Sequence, residues 1–89
     1  MMAQLIVVAA AVLGSNGTMF ALKPPARHDT IFKFMAERGE NCHGTKQGFL
    51  LSDGTFATRA IAAVVAFHAK QILTKETEVP ETLFSEDLW

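Results

Sequence analysis

Two turn signals do most to limit what this chain can become. Gly14-Ser15-Asn16-Gly17 separates the run from Gln4 to Val12 from the run from Thr18 to Leu22, and Ser52-Asp53-Gly54 separates Gln47–Leu51 from Thr55–Ala57. Asn-Gly and Asp-Gly tolerate the positive φ angles of tight antiparallel reversals, so each signal between apolar runs predicts a β-hairpin. In the first run, β-branched Ile6-Val7-Val8 is followed by small alanines and Val12, the pattern of a strand buried on both faces. Lys23-Pro24-Pro25 ends the returning strand, because proline fixes φ and brings no N–H to the ladder.

Helical periodicity appears twice. Between the hairpins, Ile31, Phe34, Met35 and Arg38 recur at helical spacing from Ala26 onward, with Gly39 placed as a C-cap and a polar loop from Glu40 to Lys46. After the second hairpin, Thr58 is a candidate N-cap for a helix beginning at Arg59. Ile61, Val64, Val65 and His68 define its expected core face, with Phe67 and Ile72 beside it. Five alanines between Ala60 and Ala69 leave this helix apolar nearly all round, which predicts cover on a second side by a partner subunit. The element order predicts an α+β fold, a small two-hairpin antiparallel sheet with two helices, in an oligomer.

The 89 residues fit one domain, read here as a globular core over 1–75 and an acidic C-terminal tail over 76–89. In that tail Glu76, Glu78, Glu81, Glu86 and Asp87 read as a solvated charge run. A chain of this size hides only about 60–65% of its extended surface, so it is marginal by itself. Hydrophobic residues make up 49% and the formal net charge is -1, which argues against both disorder and electrostatic binding to duplex nucleic acid. The single cysteine excludes an internal disulfide. Leu5–Leu13 has the length of a signal-peptide core, but no Lys or Arg precedes it and the first positive charge is Lys23. The run is also short for a membrane span, so a buried strand in a cytoplasmic protein is the expectation.

Chemistry-bearing residues are few. His28, Cys42, His43 and His68 lack the paired short spacings of a zinc site, and no flanking motif supports Cys42 as a nucleophile. His68, on the expected apolar face, reads as a hydrogen-bonded core histidine. No phosphate-cradling glycine loop is present and no carboxylate pair sits on rigid elements, so the expectation is a protein that is not an enzyme and takes no cofactor. Arginine occurs only at 27, 38 and 59, and two of these positions open predicted helices. Helix N-termini favour anions, so Arg27 and Arg59, with Asp29 and Thr58 close by, are candidate phosphate readers; ordinary solvated or salt-bridged arginines are the alternative. Phe49 and Phe56 flank the Asp-Gly turn, and either stack on a base or fill the core.

These features combine into a recognisable pattern: an apolar first strand and turn, Arg27-His28, Gln47-Gly48-Phe49, Asp53-Gly54-Thr55-Phe56, Arg59 before an alanine-rich helix, Gln71-Ile72, and a terminal Leu83-Phe84-Ser85-Glu86-Asp87-Leu88-Trp89. The pattern resembles the first type of phage Thoeris anti-defence protein over nearly the whole chain. The resemblance implies a sponge that binds cyclic nucleotide signals of bacterial immunity, such as cyclic ADP-ribose isomers or cyclic oligonucleotides, without degrading them. It also implies a homo-oligomer, dimer or hexamer, with ligand sites near subunit interfaces. Carried over by position, Phe49 and Phe56 are expected to contact a base and Arg27 and Arg59 a phosphate, with His28, Thr58 and Gln71 adding polar contacts. Two departures stand out: the stretch between the first helix and Gln47 is short, and Asp87 stands where an amide is expected. A carboxylate there would repel a pyrophosphate. From a different class, a phage inhibitor that blocks a host nuclease or defence effector by surface contact is the alternative.

Overall fold

The computed structural model describes residues 4–74 and 77–89. Glu76, counted above among the tail carboxylates, lies outside the described residues, as does the expected boundary between core and tail. The elements run β1 (Val7–Leu13), β2 (Met19–Leu22), α1 (His28–Glu37), β3 (Lys46–Leu51), β4 (Phe56–Thr58), α2 (Arg59–His68) and a short 3-10 turn at Ser85–Asp87. Both expected hairpins form, with Gly17 and Gly54 at φ of +87° in the reversals, a conformation open to residues without a Cβ. They join into one antiparallel sheet of order β2-β1-β3-β4, with Ala10 opposite Phe49 and Val12 opposite Gln47 at the seam. This is the α+β fold expected, with both helices over one face of the sheet.

Strand alternation sends Ala10, Val12, Phe49, Leu51 and Ala57 into the core, where Ile31 and Met35 of α1 meet them. Gly39 follows α1 at φ +74° and donates its N–H to the Ala36 carbonyl, the C-cap expected. Gly48 is required by a close approach. A Cβ there would collide with the Ala57 carbonyl oxygen and sit 2.5 Å from Cζ of Phe56, whose ring lies across β3 on the face away from the helices.

Two expectations are corrected. First, α2 does not pack through Ile61 and Val64, which are 57% and 44% exposed; its buried stripe is Ala62, Ala63 and Ala66. Phe49 and Leu51 already fill the space above the sheet, so the helix seats by its smallest side chains and its larger ones turn outward. His68 is therefore exposed rather than in the core, and its carbonyl accepts from the Gln4 side chain at 2.9 Å. Second, the C-terminal stretch is not a solvated tail. Leu83 and Leu88 join the core cluster, and Trp89 packs against it. The carboxylates of Glu78, Glu81 and Glu86 remain exposed, so charge and apolar anchors alternate along the same segment.

Candidate polar cavity at the helix N-termini

The N-termini of α1 and α2 converge beside the β3 end that carries Gln47 and Gly48. Arg27 is the N-cap of α1, in extended conformation, and its N–H donates to Thr30 Oγ1 at 3.3 Å while Asp29 Oδ1 accepts from Thr30 N–H at 3.0 Å. Thr58 caps α2 as expected, accepting from Ile61 N–H at 3.3 Å, and Arg59 is the first helical residue.

His28 lies under this junction and is 6% exposed. Its Nε2–H donates to the Gly48 carbonyl at 2.7 Å, which leaves Nδ1 as an acceptor 3.4 Å from Arg59 Nη2. The ring meets Phe49 edge-on at 5.1 Å between centroids. Burial pushes the imidazole pKa below its ordinary 6.5, the Arg59 charge pushes the same way, and the Gly48 bond opposes both. The ring is therefore neutral at pH 7.

Arg59 is a hub. Its Nη1 donates to the Leu83 carbonyl at 2.7 Å, its Nη2 donates to Gln47 Oε1, and its guanidinium lies 5.0 Å from the centre of the Phe84 ring. The Arg59 carbonyl in turn accepts from Leu83 N–H at 3.2 Å. Desolvation lowers its pKa, with Glu86 and Asp87 opposing, but a guanidinium stays charged. Arg27 holds the far end of the same segment. Its Nη2 donates to the Trp89 main-chain oxygen at 2.5 Å, and Trp89 Nε1–H returns a bond to the Ala26 carbonyl at 3.0 Å. Between the two arginines lies a surface cavity of about 430 Å³, lined by Arg27, His28, Asp29, Arg59, Ser85 and Glu86. It offers two guanidinium groups and two carboxylates, with a half-exposed aromatic ring, Phe84, alongside Arg59.

Of the residues singled out from sequence, Arg27, His28 and Arg59 come together here. Phe49 is wholly buried in the core, so its ring presents no face to a ligand, and base contact is corrected for that residue. Phe56 lies on the opposite face of the sheet, next to Gly48. Thr58 is used as a cap. Gln71 is at the other end of the sheet, its amide donating to the Val7 carbonyl and accepting from Val7 N–H, each at 2.8 Å. Four residue steps along β3 separate the two ends, about 13 Å. Sequence reasoning missed Phe84 and Ser85 as cavity neighbours. Leu83, Leu88 and Trp89, recurring within an acidic stretch, were the signal that this segment docks. Among the described residues no three His, Cys, Asp or Glu side chains are grouped to hold a metal ion, and Cys42 is exposed. No helix among them is long and apolar enough to cross a membrane.

Fold and cavity define a small α+β protein whose two helix N-termini and C-terminal segment enclose one polar, arginine-flanked hollow. The family model of the phage T4 y16D protein matches residues 5–89, and the chain belongs to that phage protein family. Comparison with curated proteins and with solved structures finds no match.

Proposed function

We propose that this chain is a non-catalytic binding protein that sequesters a small phosphate-bearing ligand, a cyclic nucleotide signal of bacterial immunity, in the cytoplasm of the infected cell. The observation that carries this reading is the cavity of about 430 Å³ between Arg27 and Arg59. Its volume falls in the range of small-molecule sites. Two guanidinium groups suit phosphate oxygens, a phosphate has to seat on their side of the cavity away from Asp29 and Glu86, and Phe84 beside Arg59 offers a face on which a base stacks. Both helix N-termini add partial positive charge at the same place. Both ring nitrogens of His28 are engaged by Gly48 and Arg59, which supports binding without turnover. The Thoeris-type resemblance of the sequence supplies the choice of cyclic ADP-ribose isomers and cyclic oligonucleotides as cargo.

The test is a depletion-and-release experiment. Purified protein is incubated with cyclic ADP-ribose isomers and with cyclic di- and trinucleotides, the free pool is measured, and the protein is then heat-denatured. Cargo that disappears and returns intact supports the proposal, and Arg27→Ala should abolish the depletion. Cargo that returns cleaved overturns it in favour of an enzyme. The absence of depletion turns the reading to a protein-binding inhibitor, a second reading favoured by the exposed Ile61 and Val64 on α2.

A further inference from the structure

Ser85 borders the cavity between Arg27 and Arg59 and is only 3% exposed, yet among the described residues its hydroxyl has no hydrogen-bond partner. Buried polar side chains in folded proteins are paired with protein, water or ligand, so an idle one at a cavity wall points to an acceptor that enters the cavity. Among the described residues no buried side-chain nitrogen or oxygen is both sealed from solvent and unbonded. The Ser85 oxygen therefore keeps an opening, and the cavity is the space that Ser85 borders. Its neighbour Glu86 is exposed, so the turn sends the hydroxyl inward and the carboxylate toward solvent.

The segment that carries Ser85 is tied to both arginines. The Ser85 carbonyl accepts from Leu88 N–H at 3.0 Å and from Trp89 N–H at 3.2 Å, which fixes the turn. On either side of it, the Leu83 carbonyl accepts from Arg59 and the Trp89 main-chain oxygen from Arg27. Asp87, whose carboxylate would repel a phosphate, spends Oδ2 on the Phe84 N–H at 2.8 Å and is not among the residues that border the cavity. Arg59 gives Nη1 to Leu83 and Nη2 to Gln47 and His28, so most of its fork serves the fold. Arg27 gives Nη2 to Trp89, which leaves Nη1 and Nε as donors for a ligand.

We propose that Ser85 contacts the ligand, its hydroxyl donating to a phosphate held by Arg27, so that the Leu83–Trp89 segment forms part of the binding site and docks more firmly when a phosphate-bearing ligand is bound. This rests on the sequestration reading above. Arg27 holds the segment with one nitrogen and the phosphate with the others, so each contact orders the guanidinium for the second. The coupling runs equally in both directions.

Calorimetric titration of the full chain with cyclic ADP-ribose isomers and with cyclic di- and trinucleotides tests it. Ser85→Ala should weaken the nucleotide that the wild type binds by about tenfold, the share of one hydrogen bond to a charged acceptor. Its melting temperature should match the wild type, because the hydroxyl has no partner in the fold. Trp89 is the only tryptophan in the chain, so its emission reports the segment and should shift as the nucleotide binds. Leu88→Ala loosens the anchor of the segment and should weaken binding in a protein still folded by circular dichroism. Glu37→Gln, at the far end of α1, should change neither binding nor emission. Ser85→Ala with wild-type affinity overturns the proposal and leaves sequestration standing. A loss of affinity matched by a loss of melting temperature also overturns it, because Ser85 then serves the fold alone. Wild-type affinity in Leu88→Ala, or Trp89 emission that ignores the bound nucleotide, overturns the coupling. A wild type that binds none of these nucleotides overturns this proposal and the sequestration reading together.

Discussion

Truncating Leu83 tests whether the C-terminal segment is part of the fold. Leu83 has no exposed surface and sits in the same cluster as Phe49, Ala63 and Ala66. Leu83→Ala removes three buried carbons and leaves a hole that the sheet cannot collapse into, a change worth about 3 kcal/mol in comparable cores. Unfolding entropy of about 2.1 cal/mol/K per residue gives this domain roughly 0.19 kcal/mol/K, so 1 kcal/mol moves the melting temperature by about 5 °C. The expected drop in thermal melts followed by circular dichroism is therefore about 15 °C. The backbone bonds between Leu83 and Arg59 survive the substitution, so the loss reports apolar packing alone. Leu73, 68% exposed, is the control, and Leu73→Ala should cost under about 0.5 kcal/mol. A Leu83→Ala melt within about 2 °C of the wild type would refute the docking argument and return the segment to solvent.

Three further outcomes follow from local geometry. Gly48→Ala should destabilise by about 3 kcal/mol or more in urea titrations, because a Cβ meets both the Ala57 carbonyl and the Phe56 ring; a neutral result would mean β4 shifts freely. Thr58→Ala should lose about 1 kcal/mol through the uncapped Ile61 N–H, measured in the same way. His28 gives the protein a pH dependence of defined sign. Its folded pKa is depressed, chiefly by burial and then by Arg59, with the Gly48 bond, Glu86 and Asp29 opposing. Its contribution is therefore fully present above the unfolded value of about 6.5 and is lost as pH falls from there toward the depressed folded value. Stability should fall between pH 7.5 and 5.5 in the wild type, and His28→Asn should flatten that slope; an unchanged slope would place the titration elsewhere.

Local signals carried the elements and their order. Asn16-Gly17 and Asp53-Gly54 set the two reversals, Lys23-Pro24-Pro25 closed β2, and Gly39 and Thr58 marked helix ends, because each acts through backbone conformations within a few residues. The site was partly legible for the same reason: Arg27, His28 and Arg59 were placed by helix starts that the sequence announces. Phe49 was ambiguous because stacking on a ligand and filling a core ask for the same ring, and only the side of the strand it occupies decides between them. His68 lies off the core because close packing over Phe49 selects alanine rather than the larger side chains for the buried face of α2, and side-chain size alone points to the wrong face.

By itself, then, the sequence determined what each segment is: which residues turn, which extend, which coil, and where two arginines begin helices. The tertiary structure decided what those segments face. Pairing of β1 with β3, seating of α2 by Ala62, Ala63 and Ala66, and capture of Leu83 and Trp89 by Arg59 and Arg27 join residues up to 62 positions apart. Such contacts are chosen by shape and by the burial of the whole core, and no short window of sequence contains both partners.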